Sequence, residues 1–191
     1  LKKAVHSSAA LTLVMAIFLT VLGILGTNPM LHAVGTPSDV LPESSLYLTI
    51  YFAGITFTLI YNMGSGILRA IGDSKRPLYF LVIACIINIF LDFLFVKFLH
   101  LGVAGAGYAT LIAQALSAIM VVYVLMNEKG SHRLIFKDIR FHFPILKKII
   151  MVGLPTGLQQ SIVSLSNVIV QSYVNSFGSS VVAGYSASIR I

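Results

Sequence analysis

The chain has 191 residues, of which 57% are hydrophobic and 10% charged, with a formal net charge of +7 and a mean hydropathy of +0.93. Soluble domains carry about a quarter charged residues, so a soluble globular fold is excluded. The basic residues lie between apolar runs rather than clustered on one surface, which excludes a nucleic-acid partner, and the lone Cys85 has neither a disulfide partner nor metal-ligand spacing with any histidine.

A bilayer core about 30 Å thick needs about 20 helical residues. The first run that long is Ser7 to Gly26, closed by Thr27, Asn28 and Pro29. A loop with Pro37, Asp39, Pro42 and Glu43 leads to a second span from about Leu46 to Leu68. Arg69 to Arg76 is a short basic turn. The third span starts at Pro77, a good first-turn residue, and runs to about Phe98, broken by one acid, Asp92. The fourth runs from Gly102 to Met126.

Residues 127–144 form the one truly polar stretch, with Glu128, Lys129, Arg133, Lys137, Asp138 and Arg140. From Ile149 to Ile189 no residue is charged, which exceeds one crossing, so the run divides at the turn-prone Asn175-Ser176-Phe177-Gly178. The fold class expected is an all-α integral membrane helix bundle, because open sheets leave backbone groups unsatisfied in lipid and no barrel-type alternation is visible. The chain starts at Leu1 and ends a few turns into the sixth span, so we expect a piece of a longer protein. The domains read as 1–126, part of a first lobe with four spans; 127–144, a cytoplasmic linker; and 145–191, the start of a second lobe.

With the first residues cytoplasmic, the inner segments hold Lys2, Lys3, Arg69, Lys75, Arg76, Lys129, Arg133, Lys137, Arg140, Lys147 and Lys148, and the outer ones only Lys97. This bias obeys the positive-inside rule. The expected partners are the lipid bilayer and the remainder of the same chain.

Asp92 lies inside a span, where a carboxylate is costly and functional by default. Asn88 stands one helical turn earlier on the same face. Asp92 is eight residues before His100 and Thr110 eight after Gly102, so in a tight hairpin both lie about 12 Å below the outer surface, and Asn88, Asp92 and Thr110 converge. A structural pairing of Asp92 with Lys97 is the competing reading, but five residues is off-register for a helical pair. Gly102, Ala106, Thr110 and Gln114 form a small, polar stripe suited to close packing, with Gln114 a candidate for a cavity wall. Gln160, Ser164, Asn167 and Gln171 form a second stripe, either a substrate wall or interhelical glue. Tyr61 and Asn62 are too deep for an interfacial belt and face protein. Arg190 sits roughly 18 Å into the sixth span, where a guanidinium needs a structural or lobe-interface partner. The five histidines fall at span ends or in loops, where solvated or interfacial roles are expected. No nucleophile, base and acid arrangement can be assembled, so no enzyme is expected.

The segment Tyr61-Asn-Met-Gly-Ser-Gly-Ile-Leu-Arg-Ala-Ile-Gly-Asp-Ser-Lys-Arg-Pro77, then Asn88-Ile-Phe-Leu-Asp92, Leu101-Gly-Val-Ala-Gly-Ala-Gly-Tyr-Ala-Thr110 and Gly153-Leu-Pro-Thr-Gly-Leu-Gln-Gln160 resemble the multidrug and toxic compound extrusion (MATE) transporters. The resemblance covers essentially the whole chain. It implies a twelve-helix, two-lobe transporter of the cytoplasmic membrane, of which this chain holds about helices three to eight. It further implies export of amphipathic or cationic small molecules in exchange for H⁺ or Na⁺, with no cofactor beyond that ion. Asn88, Asp92 and Thr110 match three residues of that family's N-lobe cation site; the fourth, on the first helix, is not in this sequence. The absence of an acid between Ile149 and Asn175 is more similar to the DinF-like branch than to the NorM-like one. A lipid or lipid-linked oligosaccharide flippase of the same superfamily and a non-transporting assembly subunit are the alternatives.

Overall fold

The structure is a computed structural model that describes residues 2–33, 38, 40–128, 130 and 132–176, with side chains at the same positions except 33, 168 and 171–176. Among the described residues, five helices are long and apolar enough to cross a membrane, α1 (Lys2–Ala33), α2 (Leu41–Ala70), α3 (Lys75–Asp92), α4 (Gly102–Asn127) and α5 (Phe143–Ser176). The chain divides into two compact units, Leu1–Leu146 and Lys147–Ile191.

The helices run further than hydropathy alone suggests. Thr27, Asn28 and Pro29, expected to close the first span, stay helical within α1. The Thr27 hydroxyl donates back to the Gly23 carbonyl at 2.8 Å, so this polar group needs no water, and Asn28 Oδ1 accepts from Ser45 at 2.8 Å on the opposing end of α2. α2 begins at Leu41, earlier than expected, with a proline in its first turn, where a missing N–H costs nothing. It stops where Gly72 takes φ +90. There Asp73 N–H bonds the Leu68 carbonyl at 2.9 Å and Gly72 N–H the Arg69 carbonyl at 3.0 Å, the paired closure that requires a left-handed glycine. After Asp92 the third span widens into a π turn, Phe93–Phe98. α5 keeps Pro155 inside its length.

In the first unit α2 packs against α1 on one side and α4 on the other, and α3 packs chiefly on α4. Antiparallel α1 and α2 are registered by the Thr20 and Thr56 hydroxyls at 3.1 Å and by Gly23, whose missing side chain admits the Phe52 ring. α2 and α4 run parallel. Gly107 lies against Ile50, Gly54 against Gln114 and Gly64 against Val121 and Leu125, so fourteen residues on one helix match fourteen on the other. Small residues let helices approach closely where lipid supplies no hydrophobic drive.

The densest packing lies at the end where α1 and α3 begin and α2 and α4 end. Val5, Ala9, Leu68, Val121, Leu125 and Leu134 form one buried cluster there. Leu134 belongs to the polar stretch, pulled in by a 2.9 Å bond from its N–H to the Leu125 carbonyl. His6 departs from the expected solvated role: it is 1% exposed. Its Nδ1–H donates to the Lys2 carbonyl at 2.7 Å and its Nε2 accepts from Ile135 N–H at 3.1 Å, a pairing that only the neutral ring can make. Ser7 Oγ accepts from His142 N–H at 3.1 Å, and Lys2 pairs with Asp138 at 2.7 Å. Residues 135–142 are thereby strapped onto the start of α1.

Candidate functional site

A cavity of about 360 Å³ lies among α2, α3 and α4. α2 contributes Thr58, Tyr61 and Asn62, α3 contributes Cys85 and Asn88, and α4 contributes Thr110, Gln114 and Ser117, with Leu81, Ala84 and Ala113 completing the wall. Tyr61, Asn62, Asn88, Thr110 and Gln114 were each singled out from sequence, and the structure brings them to one cavity. The Tyr61 hydroxyl donates to the Pro77 carbonyl at 2.8 Å, which ties α2 to the first turn of α3. Gln114 Oε1 is held where a side chain on Gly54 would stand.

Asp92 does not line this cavity. It ends α3, immediately before the π turn, and its Oδ1 is buried with no hydrogen-bond partner among the described residues. Asn88 Nδ2, one turn earlier, is buried and unpartnered too. Buried polar groups are nearly always satisfied, so two orphans on one helical face mark a place where a polar group from outside is wanted. π turns in α-helices frequently occur at functional sites. Lys97, the competing partner of Asp92, instead lies over the Phe93 ring at 4.6 Å, and no ion pair with Asp92 exists among the described residues.

Three hydroxyl- or thiol-bearing cavity residues escaped the sequence reading: Thr58, Cys85 and Ser117. Each stands three residues from a singled-out neighbour, Tyr61, Asn88 and Gln114 respectively, so helical spacing would have found them. Two of the three hydroxyl or thiol groups are quiet because they bond their own helix, Thr58 to the Gly54 carbonyl at 3.4 Å and Ser117 to the Gln114 carbonyl at 2.8 Å.

The stripe on α5 belongs to the second unit. Gln160, Ser164 and Asn167 are exposed there, and Ser164 donates to the Gln160 carbonyl at 2.9 Å. The Gln171 side chain and all of Arg190 lie outside the described residues.

A family model described as MatE matches residues 1–94. The Bacillus subtilis protein named "Probable multidrug resistance protein YpnP" is 34% identical over 85% of this chain and 36% of its own length, and a Shewanella oneidensis protein named "FAD transporter" is 25% identical over 97% and 42%. Among solved structures, the outward-facing conformation of a multidrug resistance MATE family transporter of the MOP superfamily superposes with a TM-score of 0.87 at 28% identity, covering 99% of this chain and 42% of that one. A MOP superfamily transporter from Pyrococcus furiosus gives 0.87 at 27% identity over the same shares. The chain thus spans about two fifths of the relatives it matches.

Proposed function

Because the chain belongs to the multidrug and toxic compound extrusion family, a family of multi-pass membrane transporters rather than enzymes, we propose that it forms part of a cation-coupled antiporter. In this reading a complete transporter exports amphipathic or cationic compounds across the cytoplasmic membrane, and Asp92, Asn88 and Thr110 hold the coupling ion. The observation that carries it is the pair of buried, unpartnered atoms, Asp92 Oδ1 and Asn88 Nδ2, beside a cavity that Asn88 and Thr110 both line.

A carboxyl group serves as a proton carrier by itself. Na⁺, a hard cation, needs several oxygens, and the Asp92 carboxylate, the Asn88 amide and the Thr110 hydroxyl supply three, the amide presenting its oxygen after a half-turn of its terminal group. One acid with neutral neighbours points to H⁺, with Na⁺ as the alternative. Two-lobe alternating access around such a site would place 127–144 as the cytoplasmic connection between lobes. Gln114, Tyr61 and Asn62, and Gln160, Ser164, Asn167 and Gln171 from the second lobe, would face substrate, and Arg190 would serve at the lobe interface. A flippase for phosphate-bearing lipids needs a cationic cavity, and among the described residues no Lys or Arg lines this one. An assembly subunit leaves Asp92 without a purpose.

The test is export by the complete transporter in vesicles under an imposed pH or Na⁺ gradient. Asp92→Asn is expected to abolish the response to whichever gradient drives export, and Thr110→Ala to spare H⁺ coupling but weaken Na⁺ coupling at least tenfold. Export by Asp92→Asn that still follows the gradient overturns the reading.

A further inference from the structure

A second recess in the first unit shares no residue with the polar cavity. It encloses about 390 Å³ between α1, α2, α4 and a short 3-10 turn, Phe136–Asp138. Its wall is apolar, built from residues such as Leu13, Phe57, Ile119, Val122, Met126 and Phe136. Ile119 and Phe136 are 63% and 57% exposed. The recess therefore opens sideways from the bundle, at the end where the basic residues gather.

Among the described residues, the unpaired charge beside the recess is of one sign. Arg133 Nε donates to the carbonyl of Met126 at 2.8 Å, which pins the guanidinium at the edge of the recess with its two terminal nitrogens free to reach outward. Lys137 follows Phe136 in the 3-10 turn, and both basic side chains are exposed. The carboxylates of this end are already engaged, Glu128 by Arg76 and His132 and Asp138 by Lys2. Among the described residues, neither Arg133 nor Lys137 has a carboxylate within 4 Å. An apolar slot under two unneutralised cations matches an amphiphile with an aliphatic tail and an anionic head. Basic pockets between membrane helices on the cytoplasmic side take anionic lipid head groups, and guanidinium suits phosphate through its paired donors. A cationic export substrate would be repelled at this rim.

We propose that this recess binds an anionic phospholipid of the cytoplasmic leaflet, with an acyl chain along α1, α2 and α4 and the phosphate held by Arg133 and Lys137. The site requires only that the basic end be cytoplasmic and is independent of the coupling site.

The experiment is native mass spectrometry of the complete transporter titrated with phosphatidylglycerol or phosphatidylcholine, so a failure of ion coupling leaves its readout untouched. Phosphatidylglycerol is expected to bind about thirtyfold more tightly, the sum of two surface cations. The double variant Arg133→Gln/Lys137→Gln should lose that preference. Arg140→Gln, off the rim, should keep it, and Ile119→Phe, which fills the slot from an exposed position, should weaken both lipids. Phosphatidylglycerol with a photoreactive acyl chain should crosslink to Val122, Met126 or Phe136. Equal binding of the two lipids, an unchanged preference in the double variant, or displacement by millimolar inorganic phosphate overturns the proposal, the last by revealing a simple anion site. Crosslinks at none of Val122, Met126 and Phe136 overturn it as well, by showing the slot covered by protein.

Discussion

Two glycines on α2 illustrate how one atom decides between packing and function. A Cβ on Gly64 would stand 2.8 and 2.9 Å from the two methyl groups of Val121, a β-branched side chain with little rotamer freedom. A Cβ on Gly54 would stand 2.8 Å from Gln114 Oε1, the far end of a flexible side chain. Gly64→Ala is therefore expected to destabilise by about 1–3 kcal/mol, even after the gain of about 1 kcal/mol in helix propensity. Gly54→Ala should leave the melting temperature near the parent's but, if the complete protein exports as proposed, shift its apparent affinity for substrate, because Gln114 is pushed into the cavity. Thermal unfolding and transport KM measured on both variants separate the two effects; a Gly54→Ala protein that melts like Gly64→Ala removes the distinction.

Between elements, the start of α3 meets the end of α4 through Arg76, which bonds Asp73 Oδ2 at 3.1 Å and also Glu128. The Arg76 guanidinium, seconded by His132, holds the Glu128 carboxyl below the usual glutamate range. A depressed carboxyl stabilises the fold above its unfolded pKa, about 4.3, and that contribution is lost as the pH falls through the lower folded value. Glu128→Gln should therefore lower the melting temperature slightly at pH 7, less so in high salt because the pair is exposed, and should match the parent only once the pH has fallen below the depressed folded value. A gap that persists in acid would assign the effect to something other than charge. The elements themselves were legible from run length, since uncharged apolar stretches have one stable solution in lipid. Their ends were less so: Thr27 and Asn28 read as a loop because nothing in the sequence shows that Gly23 and Ser45 satisfy them. His6 was misread for the same reason, its partner Ile135 lying 129 residues away.

For the whole molecule, the alternation of basic and neutral ends is the property that fixes orientation. A reporter fused after Ser131 is expected on the cytoplasmic side and one after Ser38 outside; the reverse pattern would overturn the topology and the lipid site with it. The polar cavity was partly readable because its residues recur at helical spacing on three spans. That Asp92 is one turn beyond the lining residue Asn88, and not in the lining itself, was not readable, since depth counted at α-helical rise fails where the third span leaves that geometry at Phe93.

The π turn has a consequence for the gene. It closes on i→i+5 bonds, as from Leu99 N–H to the Leu94 carbonyl at 3.0 Å, and so holds one residue more than an α turn. Its surplus residue also makes neighbours of Phe93 and Phe98, whose rings meet edge to face at 5.5 Å. Losing one codon here, Val96 for example, lets the turn close as α-helix with the flanking faces still in phase. Losing Ala84 rotates everything beyond it by about 100°. Membrane-inserted, monodisperse protein is expected from the first deletion and not from the second. Single-residue length differences among relatives of this chain should accordingly collect at this turn rather than elsewhere in the third span.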